Sequence, residues 1–174
     1  RERIKEGRWE AEGAMWLEPD CNISSGESLI RHIVYGRRFF EQELGAEKNE
    51  VLWLPDVFGY SAALPQILQK SGIPYFMTTK IGWNEFNRFP HDTFLWKGID
   101  GTEVLTHLIT TRNYQKPGDL KMVGNHSTTY NGLQNASQLM GTWQRYQDKD
   151  VSTEVLTCYG YGDGGGGPTE EMLE

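Results

Sequence analysis

The hydrophobic pattern at the start of the chain predicts a strand, an acidic loop and an amphipathic helix, in that order. Residues 8–16 begin by alternating apolar and polar side chains, which is typical of a half-buried strand. Ser24 and Glu27 form a capping box, and apolar side chains then recur at helical spacing until Gly45 ends the helix. The loop between the two elements carries three polar side chains, Glu18, Asp20 and Asn22.

The same order repeats around the sequence W-L-P-D-V-F-G-Y-S at residues 53–61. Residues 50–54 are β-branched and aromatic enough to predict a short buried strand, and residues 62–71 predict a helix. Asp56 follows the end of the strand, where functional groups gather in sheets with parallel strands. The alternative is that Asp56 only caps a turn or the following helix.

A third strand is predicted over 74–79, and it leads into Lys80. Residues 93–97 and 102–109 flank the turn sequence G-I-D-G, which predicts a hairpin, and Tyr114 follows its second strand.

The last third of the chain predicts three more features. Residues 115–130 are polar and carry Pro and Gly, which is typical of a loop that covers a site. Residues 131–147 predict a helix, and residues 154–159 predict a strand. That strand runs into G-Y-G-D-G-G-G-G-P-T, so Asp163 also lies beyond a predicted strand end.

Strands that alternate with helices predict an α/β fold with a mostly parallel sheet, either open or rolled into a barrel. Residues that follow the strands of such a sheet share one face. We therefore expect six side chains to converge there: Glu18, Asp20, Asp56, Lys80, Tyr114 and Asp163.

Composition narrows the classes of partner. The chain of 174 residues has 17 basic and 24 acidic side chains, a net charge of −7, and no basic stripe, which argues against nucleic-acid binding. No apolar run approaches the roughly 18 residues of a membrane span, so we expect no membrane partner. Cys21 and Cys158 lie far apart in the sequence, which predicts buried, reduced thiols and a cytoplasmic protein.

Two carboxylates on one rim are the minimum for glycoside hydrolysis, and Asp56 and Asp163 are the candidates. The glycines around Asp163 would let a ligand approach the backbone, whereas a plain flexible turn is the alternative. A phosphate-binding loop fits poorly because the G-x-x-x-x-G-K-[ST] pattern is missing. No G-x-S-x-G elbow accompanies Ser61, which argues against a serine hydrolase.

The four histidines form none of the usual zinc-binding spacings, so the sequence alone has no complete metal site. We expect packing or structural roles for His32, His91 and His107.

Four motifs resemble the α-mannosidases of glycoside hydrolase family 38, in its bacterial and cytosolic or vacuolar branch. They are M-W-L-E-P-D-C-N-I-S-S-G-E-S-L, W-L-P-D-V-F-G-Y-S-A-A-L-P-Q-I-L, W-N-E-F-N-R-F-P-H-D-T-F-L-W-K-G-I-D-G and G-Y-G-D-G-G-G-G-P-T. They occur in the family's order and span nearly the whole chain. The resemblance, together with the helical sequences at both ends, implies that residues 1–174 are the central part of one larger N-terminal (β/α) barrel-like catalytic domain, incomplete at both ends.

The resemblance implies a retaining, exo-acting α-mannosidase that removes terminal mannose from oligosaccharides. Asp56 matches the family's nucleophile, which also ligates zinc, and Asp163 matches the region of the general acid/base. The family's other zinc ligands, an H-x-D pair and a later histidine, are absent here, so we expect these residues alone to bind zinc poorly. Retention predicts carboxyl groups about 5 to 5.5 Å apart.

The resemblance also implies roles for other residues. Lys80 lies where Golgi-type enzymes carry a substrate-binding arginine, Tyr114 lies near a tyrosine that contacts sugar, and Glu18 and Asp20 belong to a recurrent motif and are assigned to substrate binding. We expect a mannose-containing partner and a possible homo-oligomer of the full-length protein. The alternatives are a non-catalytic carbohydrate-binding relative, a mannosylglycerate hydrolase of the same family, and a metal-dependent deacetylase or related barrel hydrolase.

Overall fold

The computed structural model describes residues 1–46, 49–84, 86–116 and 128–174. The helices of these residues are α1 (Glu2–Lys5), α2 (Gly26–Phe39), α3 (Leu64–Lys70) and α4 (Ala136–Arg145). The strands are β1 (Val51–Trp53), β2 (Tyr75–Thr78), β3 (Thr93–Lys97) and β4 (Glu103–Leu108). A π-helix spans Phe40–Leu44, and short 3-10 helices span Lys80–Gly82 and Glu170–Met172. No helix among the described residues combines the length and apolar character that crossing a membrane requires.

The chain divides into two compact units. The first unit comprises Arg1–Thr78 and Phe94–Thr106, and the second comprises Thr79–Thr93 and His107–Glu174.

The four strands form one sheet in the order β1-β2-β4-β3. Strands β1 and β2 are parallel, with Leu52 opposite Phe76. Strands β3 and β4 form a tight hairpin, since Gly98 N–H donates to Thr102 O at 2.8 Å and Leu108 N–H donates to Asp92 O at 2.7 Å. A short hairpin makes its strands antiparallel. The sheet of the described residues is therefore mixed, whereas the sequence predicted a mostly parallel one, and the barrel stays a prediction.

Most predicted elements are confirmed. Helix α2 follows the predicted capping region, although the cap is Ser25, whose Oγ accepts from Ser28 N–H at 3.2 Å, and not Ser24. Its π-helical extension ends at Gly45, as predicted, with φ of 76°. Helix α3, strands β1 and β2 and the hairpin lie within their predicted ranges. Helix α4 is shorter than the predicted 131–147 because Asn135 caps its start.

Two predicted strands are wrong. Residues 8–16 contribute only an isolated bridge from Gly13 to Leu52, because Gly13 and Ala14 have φ of 131° and 62° and leave the extended conformation. Residues 154–159 contribute only a bridge from Tyr159 to Gly132. The predicted covering loop over 115–130 lies largely outside the described residues, which omit 117–127.

The core of the first unit is built from α2, α3 and the sheet. Its buried side chains include Leu29, Ile33, Leu52, Leu54, Leu64, Leu68, Phe76 and Val104. Burial of large aliphatic side chains contributes roughly 1.5–3 kcal/mol each to folding. This core fixes the end of β1, from which the Asp56 loop emerges.

Candidate active site

Asp56 lies in the loop that follows β1 and is half-buried. Leu54 N–H donates to Met77 O at 3.1 Å, so pairing with β2 continues one residue past β1. The N–H of Asp56 donates to Oε1 of Glu18 at 2.7 Å. Helix α3 begins only at Leu64, and its N-cap residue, Ala63, makes no side-chain cap. Asp56 therefore does not cap α3, and capping of a turn stays the alternative interpretation.

The acidic loop over 18–22 packs against the Asp56 loop. Asp20 Oδ1 accepts from Asn22 N–H at 2.8 Å, and Asn22 Nδ2 donates to Phe58 O at 3.4 Å. Gly59 has φ of 139°, and a Cβ there would lie 2.8 Å from Asn22 Nδ2. The positive φ favours glycine here, and a larger residue would also displace the Asn22 side chain. The structure thus brings Glu18 and Asp20 to the loop that carries Asp56.

Tyr60 also belongs to this part of the first unit, and the sequence did not predict a role for it. Its hydroxyl donates to Leu54 O at 2.9 Å and contacts Thr78 Oγ1 at 2.6 Å. Burial raises the pKa of Tyr60 above its ordinary value, and the charges of Glu18 and Asp56 raise it further. The phenol therefore stays neutral. The signal in the sequence was a tyrosine four residues after Asp56, directly after Gly59.

Both cysteines are buried and free, which confirms that they are not bonded to each other. Burial, together with the charges of Asp20 and Glu18, raises the pKa of Cys21 to about 11. Burial alone raises the pKa of Cys158 to about 12. Thiols with such pKa values carry almost no thiolate near neutral pH and are poor nucleophiles.

Lys80 begins a 3-10 turn at the start of the second unit. Its ammonium nitrogen lies 3.3 Å from the ring centroid of Trp83 and 5.4 Å from that of Tyr130. Trp83 is itself fixed, since its indole N–H donates to Thr128 O at 2.7 Å. The cation is thus held by aromatic faces.

Asp163 projects from a closed loop and not from a loose turn. Tyr161 and Gly167 exchange two backbone hydrogen bonds of 2.8 Å each across the loop. Tyr130 OH donates to Asp163 Oδ1 at 3.1 Å, and Asn131 Nδ2 donates to Oδ2 at 3.4 Å. The Oδ1 of Asn131 also accepts from the N–H of Gly162 at 3.0 Å. Two side chains therefore orient the exposed carboxylate, and the sequence predicted neither contact.

Tyr114 lies in the second unit, where its backbone is bonded to α4. Its N–H donates to Ser137 O at 2.9 Å. A Cβ on Gly141 would lie 2.6 Å from Tyr114 N and 2.1 Å from Arg112 O. The missing side chain of Gly141 lets the 112–114 segment approach α4.

A polar cavity of about 410 Å³ opens in the second unit. Its lining includes Trp83, Arg112, Asn113, Gln115, Thr128 and Gln138. Burial lowers the pKa of Arg112 below its ordinary value, as does the nearby charge of Arg145. Planar hydrogen-bonding groups beside one indole ring suit a polyhydroxylated ligand.

The described residues do not make a zinc site by themselves. Within residues 1–46, 49–84, 86–116 and 128–174, no three His, Cys, Asp or Glu side chains come together in a group able to hold a metal ion. Zinc in proteins takes four ligands in structural sites and at least three protein ligands in catalytic ones. Asp56 offers one carboxylate, so zinc binding requires ligands from outside this set.

The predicted site residues fall into two sets. Glu18, Asp20 and Asp56 lie in the first unit, whereas Lys80, Tyr114 and Asp163 lie in the second. Within the second unit, Tyr130 links Lys80 to Asp163. The predicted separation of 5 to 5.5 Å between the carboxyl groups of Asp56 and Asp163 stays a prediction.

Known proteins are similar to this chain over its whole length. A family model described as glycosyl hydrolases family 38 N-terminal domain matches residues 1–174. The chain is 45% identical over 177 residues to alpha-mannosidase G of Dictyostelium discoideum and 42% identical over 172 residues to an alpha-mannosidase of Saccharomyces cerevisiae. Each alignment covers 99% of this chain, which spans 15% and 14% of the two relatives.

The fold is also similar to a solved structure. The crystal structure of an alpha-mannosidase from Enterococcus faecalis V583 matches with a TM-score of 0.51 and 22% identity, over 62% of this chain and 12% of that chain. This similarity supports the α/β fold alone. From the family match and the identities to its relatives, the chain belongs to glycosyl hydrolase family 38, within the family's N-terminal domain.

Proposed function

We propose that the protein of which these residues form a part is a retaining α-mannosidase that removes terminal α-D-mannose from oligosaccharides. The observation that carries the proposal is the placement of Asp56, in a chain 45% identical to an alpha-mannosidase. Asp56 is half-buried, and its N–H donates to Glu18 Oε1 at 2.7 Å. The relatives' printed names support the choice of mannose.

The proposed chemistry uses two carboxyl groups. Asp56 attacks the anomeric carbon and forms a glycosyl–enzyme ester while Asp163 gives a proton to the departing glycosidic oxygen. Asp163 then takes a proton from water, whose oxygen displaces Asp56 from the anomeric carbon. The hydrogen bonds that Tyr130 and Asn131 donate hold Asp163 in one orientation for both steps.

The remaining residues would bind the sugar. Lys80 offers three ammonium donors to hydroxyl groups, beside the ring of Trp83, and Tyr114, whose backbone is bonded to α4, offers a phenol. Glu18 and Asp20 would bind the sugar from the loop before α2, and Glu18 also accepts from the Asp56 N–H. Zinc coordination by Asp56, a cytoplasmic location, a homo-oligomer and the barrel stay proposals, and no step above depends on them.

The test is a carboxylate-to-amide series in the intact natural protein. We expect Asp56→Asn to lower kcat on an aryl α-D-mannoside by about a thousandfold or more. Asp100→Asn is the matched control, because Asp100 lies in the hairpin turn, where it accepts from Thr102 N–H at 3.0 Å. Proton NMR of the first-formed product should show α-mannose, as retention requires.

Two results would overturn the proposal. If Asp56→Asn keeps its activity, Asp56 is not the nucleophile. If β-mannose is the first-formed product, the enzyme inverts the anomeric configuration. Mannoside binding without turnover in the wild-type protein would instead support the non-catalytic carbohydrate-binding alternative.

A further inference from the structure

One side chain closes the loop that carries Asp56. The Tyr60 hydroxyl donates to Leu54 O, six residues earlier, at 2.9 Å. Leu54 is the last residue whose N–H pairs with β2, where it donates to Met77 O. Asp56 therefore lies between two points that are tied together and tied to the sheet.

The hydroxyl of Tyr60 also joins the ends of two parallel strands. A phenol has one proton, and here it goes to Leu54 O, so at 2.6 Å the Tyr60 oxygen accepts the hydroxyl proton of Thr78. Thr78 is the last residue of β2 and is fully buried. The resulting chain of bonds, Thr78 to Tyr60 to Leu54, spans the carboxyl ends of β2 and β1.

Packing fixes the ring as well as the hydroxyl. The Tyr60 ring meets Phe76 edge to face, with centroids 4.9 Å apart, and Trp96 with centroids 6.4 Å apart. Rotating the hydroxyl away would break both contacts and leave Leu54 O and Thr78 Oγ1 without these partners. The bonds of the Tyr60 hydroxyl and the packing of its ring therefore restrict the Asp56 loop on its buried side. On the other side, Glu18 accepts from the N–H of Asp56.

We propose that Tyr60 is a positioning residue, which sets the direction of Asp56 by bonding Leu54 and Thr78 beneath the loop. This inference rests on the proposed role of Asp56 as nucleophile. A nucleophile displaced by about 1 Å loses on the order of a hundredfold in rate, although the substrate still binds. Loss of the hydroxyl should accordingly lower kcat and leave KM nearly unchanged.

The test compares two tyrosines in the intact natural protein. Tyr60→Phe keeps the ring and removes the hydroxyl. Tyr146→Phe is the matched control, because Tyr146 is also buried and its hydroxyl donates to a threonine, Thr93 Oγ1, at 3.0 Å within the second unit. We expect Tyr60→Phe to lower kcat by about 10- to 100-fold with KM within about threefold, and Tyr146→Phe to keep kcat.

Thr78 provides a second route that does not depend on the folding of Tyr60→Phe. Thr78→Val removes the donor to Tyr60, whereas Thr78→Ser keeps it. We expect Thr78→Val to lower kcat, Thr78→Ser to restore it, and Thr78→Val to have little further effect in the Tyr60→Phe background.

The outcomes separate the inference from the proposed function. Equal kcat in Tyr60→Phe, Thr78→Val and wild type, with Asp56→Asn inactive, would overturn the positioning role alone. An active Asp56→Asn would overturn the proposed nucleophile and the inference with it. A lower melting temperature without a change in kcat would mean that the bonds serve stability only, which also contradicts the inference.

Discussion

The backbone N–H of Asp56 donates to the carboxylate of Glu18, 38 residues earlier, across 2.7 Å. The bond ties the acidic loop before α2 to the loop after β1. Glu18 accepts from a peptide group and leaves the Asp56 carboxylate to other partners. A hydrogen bond to an ionised acceptor contributes about 1.5–3 kcal/mol, more than one between neutral groups.

Substitutions of Glu18 should therefore act through Asp56. We expect Glu18→Gln, which keeps an oxygen acceptor, to retain most of kcat, and Glu18→Ala, which leaves the Asp56 N–H without it, to lower kcat by about tenfold or more. Glu27→Gln and Glu27→Ala are the matched controls, since Glu27 accepts from Arg31 at 2.8 Å on the exposed side of α2. Steady-state kinetics measure kcat for each variant. An equal loss of kcat in Glu18→Gln and Glu18→Ala would show that the charge of Glu18 matters and not its acceptor oxygen.

Tyr130 should behave as the orienting group of Asp163. An acid that protonates the leaving group matters most when that group is a poor one. We expect Asp163→Asn and, to a smaller extent, Tyr130→Phe to slow an alkyl mannoside far more than a dinitrophenyl mannoside. Tyr161→Phe is the control, because the Tyr161 side chain is half-exposed in the same loop. Equal losses on both substrates would exclude proton donation by Asp163.

Local sequence features predicted the elements that depend on local chemistry. The strand before Pro55, the hairpin at Asp100–Gly101 and the helix stop at Gly45 are all confirmed, because each depends on the backbone preferences of one or two residues. The strand predicted over residues 154–159 was wrong because its backbone bonds to a distant side chain. The N–H of Cys158 donates to Thr111 Oγ1 at 3.3 Å, a side-chain partner 47 residues away that no local pattern contains.

The same division applies to the site. The sequence identified the acidic residues that follow predicted strands. Two of them, Glu18 and Asp56, lie together in the structure. The groups that orient them were not visible. Asn131 and Tyr130 reach Asp163 from 32 and 33 residues away, and nothing in the periodicity of either segment specifies that contact. Gly141 is another example, since no local pattern indicates that the 112–114 segment packs against α4 there.

Zinc should bind the intact protein and not these residues alone. Asp56 supplies one carboxylate, and the described residues hold no further group of ligands. We expect isothermal titration of the 174-residue chain with zinc to give no tight stoichiometric binding, whereas the intact natural protein should retain about one zinc through dialysis. Asp56→Asn in the intact protein should lower that zinc content, and Asp100→Asn should not. Tight binding by the 174-residue chain would contradict the prediction.

His107 should make the second unit less stable in acid. Its Nδ1 lies 2.9 Å from Thr93 Oγ1. Burial lowers the pKa of His107 below the ordinary 6.5, although the charges of Asp92 and Asp148 oppose this. The unfolded chain therefore binds a proton more readily than the folded one, so stability is complete above about pH 6.5 and falls as the pH drops from there towards the folded pKa.

Amide hydrogen exchange reports this effect segment by segment in the intact protein. We expect protection of residues 103–111, corrected for intrinsic exchange rates, to decrease between about pH 7 and pH 5 in the wild type. In His107→Asn the amide takes the place of the ring nitrogen Nδ1 and does not titrate. The decrease in protection between pH 7 and pH 5 should therefore be smaller than in the wild type. Any loss of protection that the substitution itself causes should be the same at pH 7 and pH 8. An equal decrease in both proteins would assign the acid sensitivity to groups other than His107. Asp148, which accepts from the N–H groups of Asp92 and Thr93, is not one of them. Hydrogen bonds from His91 and from the backbone hold the pKa of Asp148 below its ordinary value against the opposing effect of burial, so its contribution disappears only at lower pH.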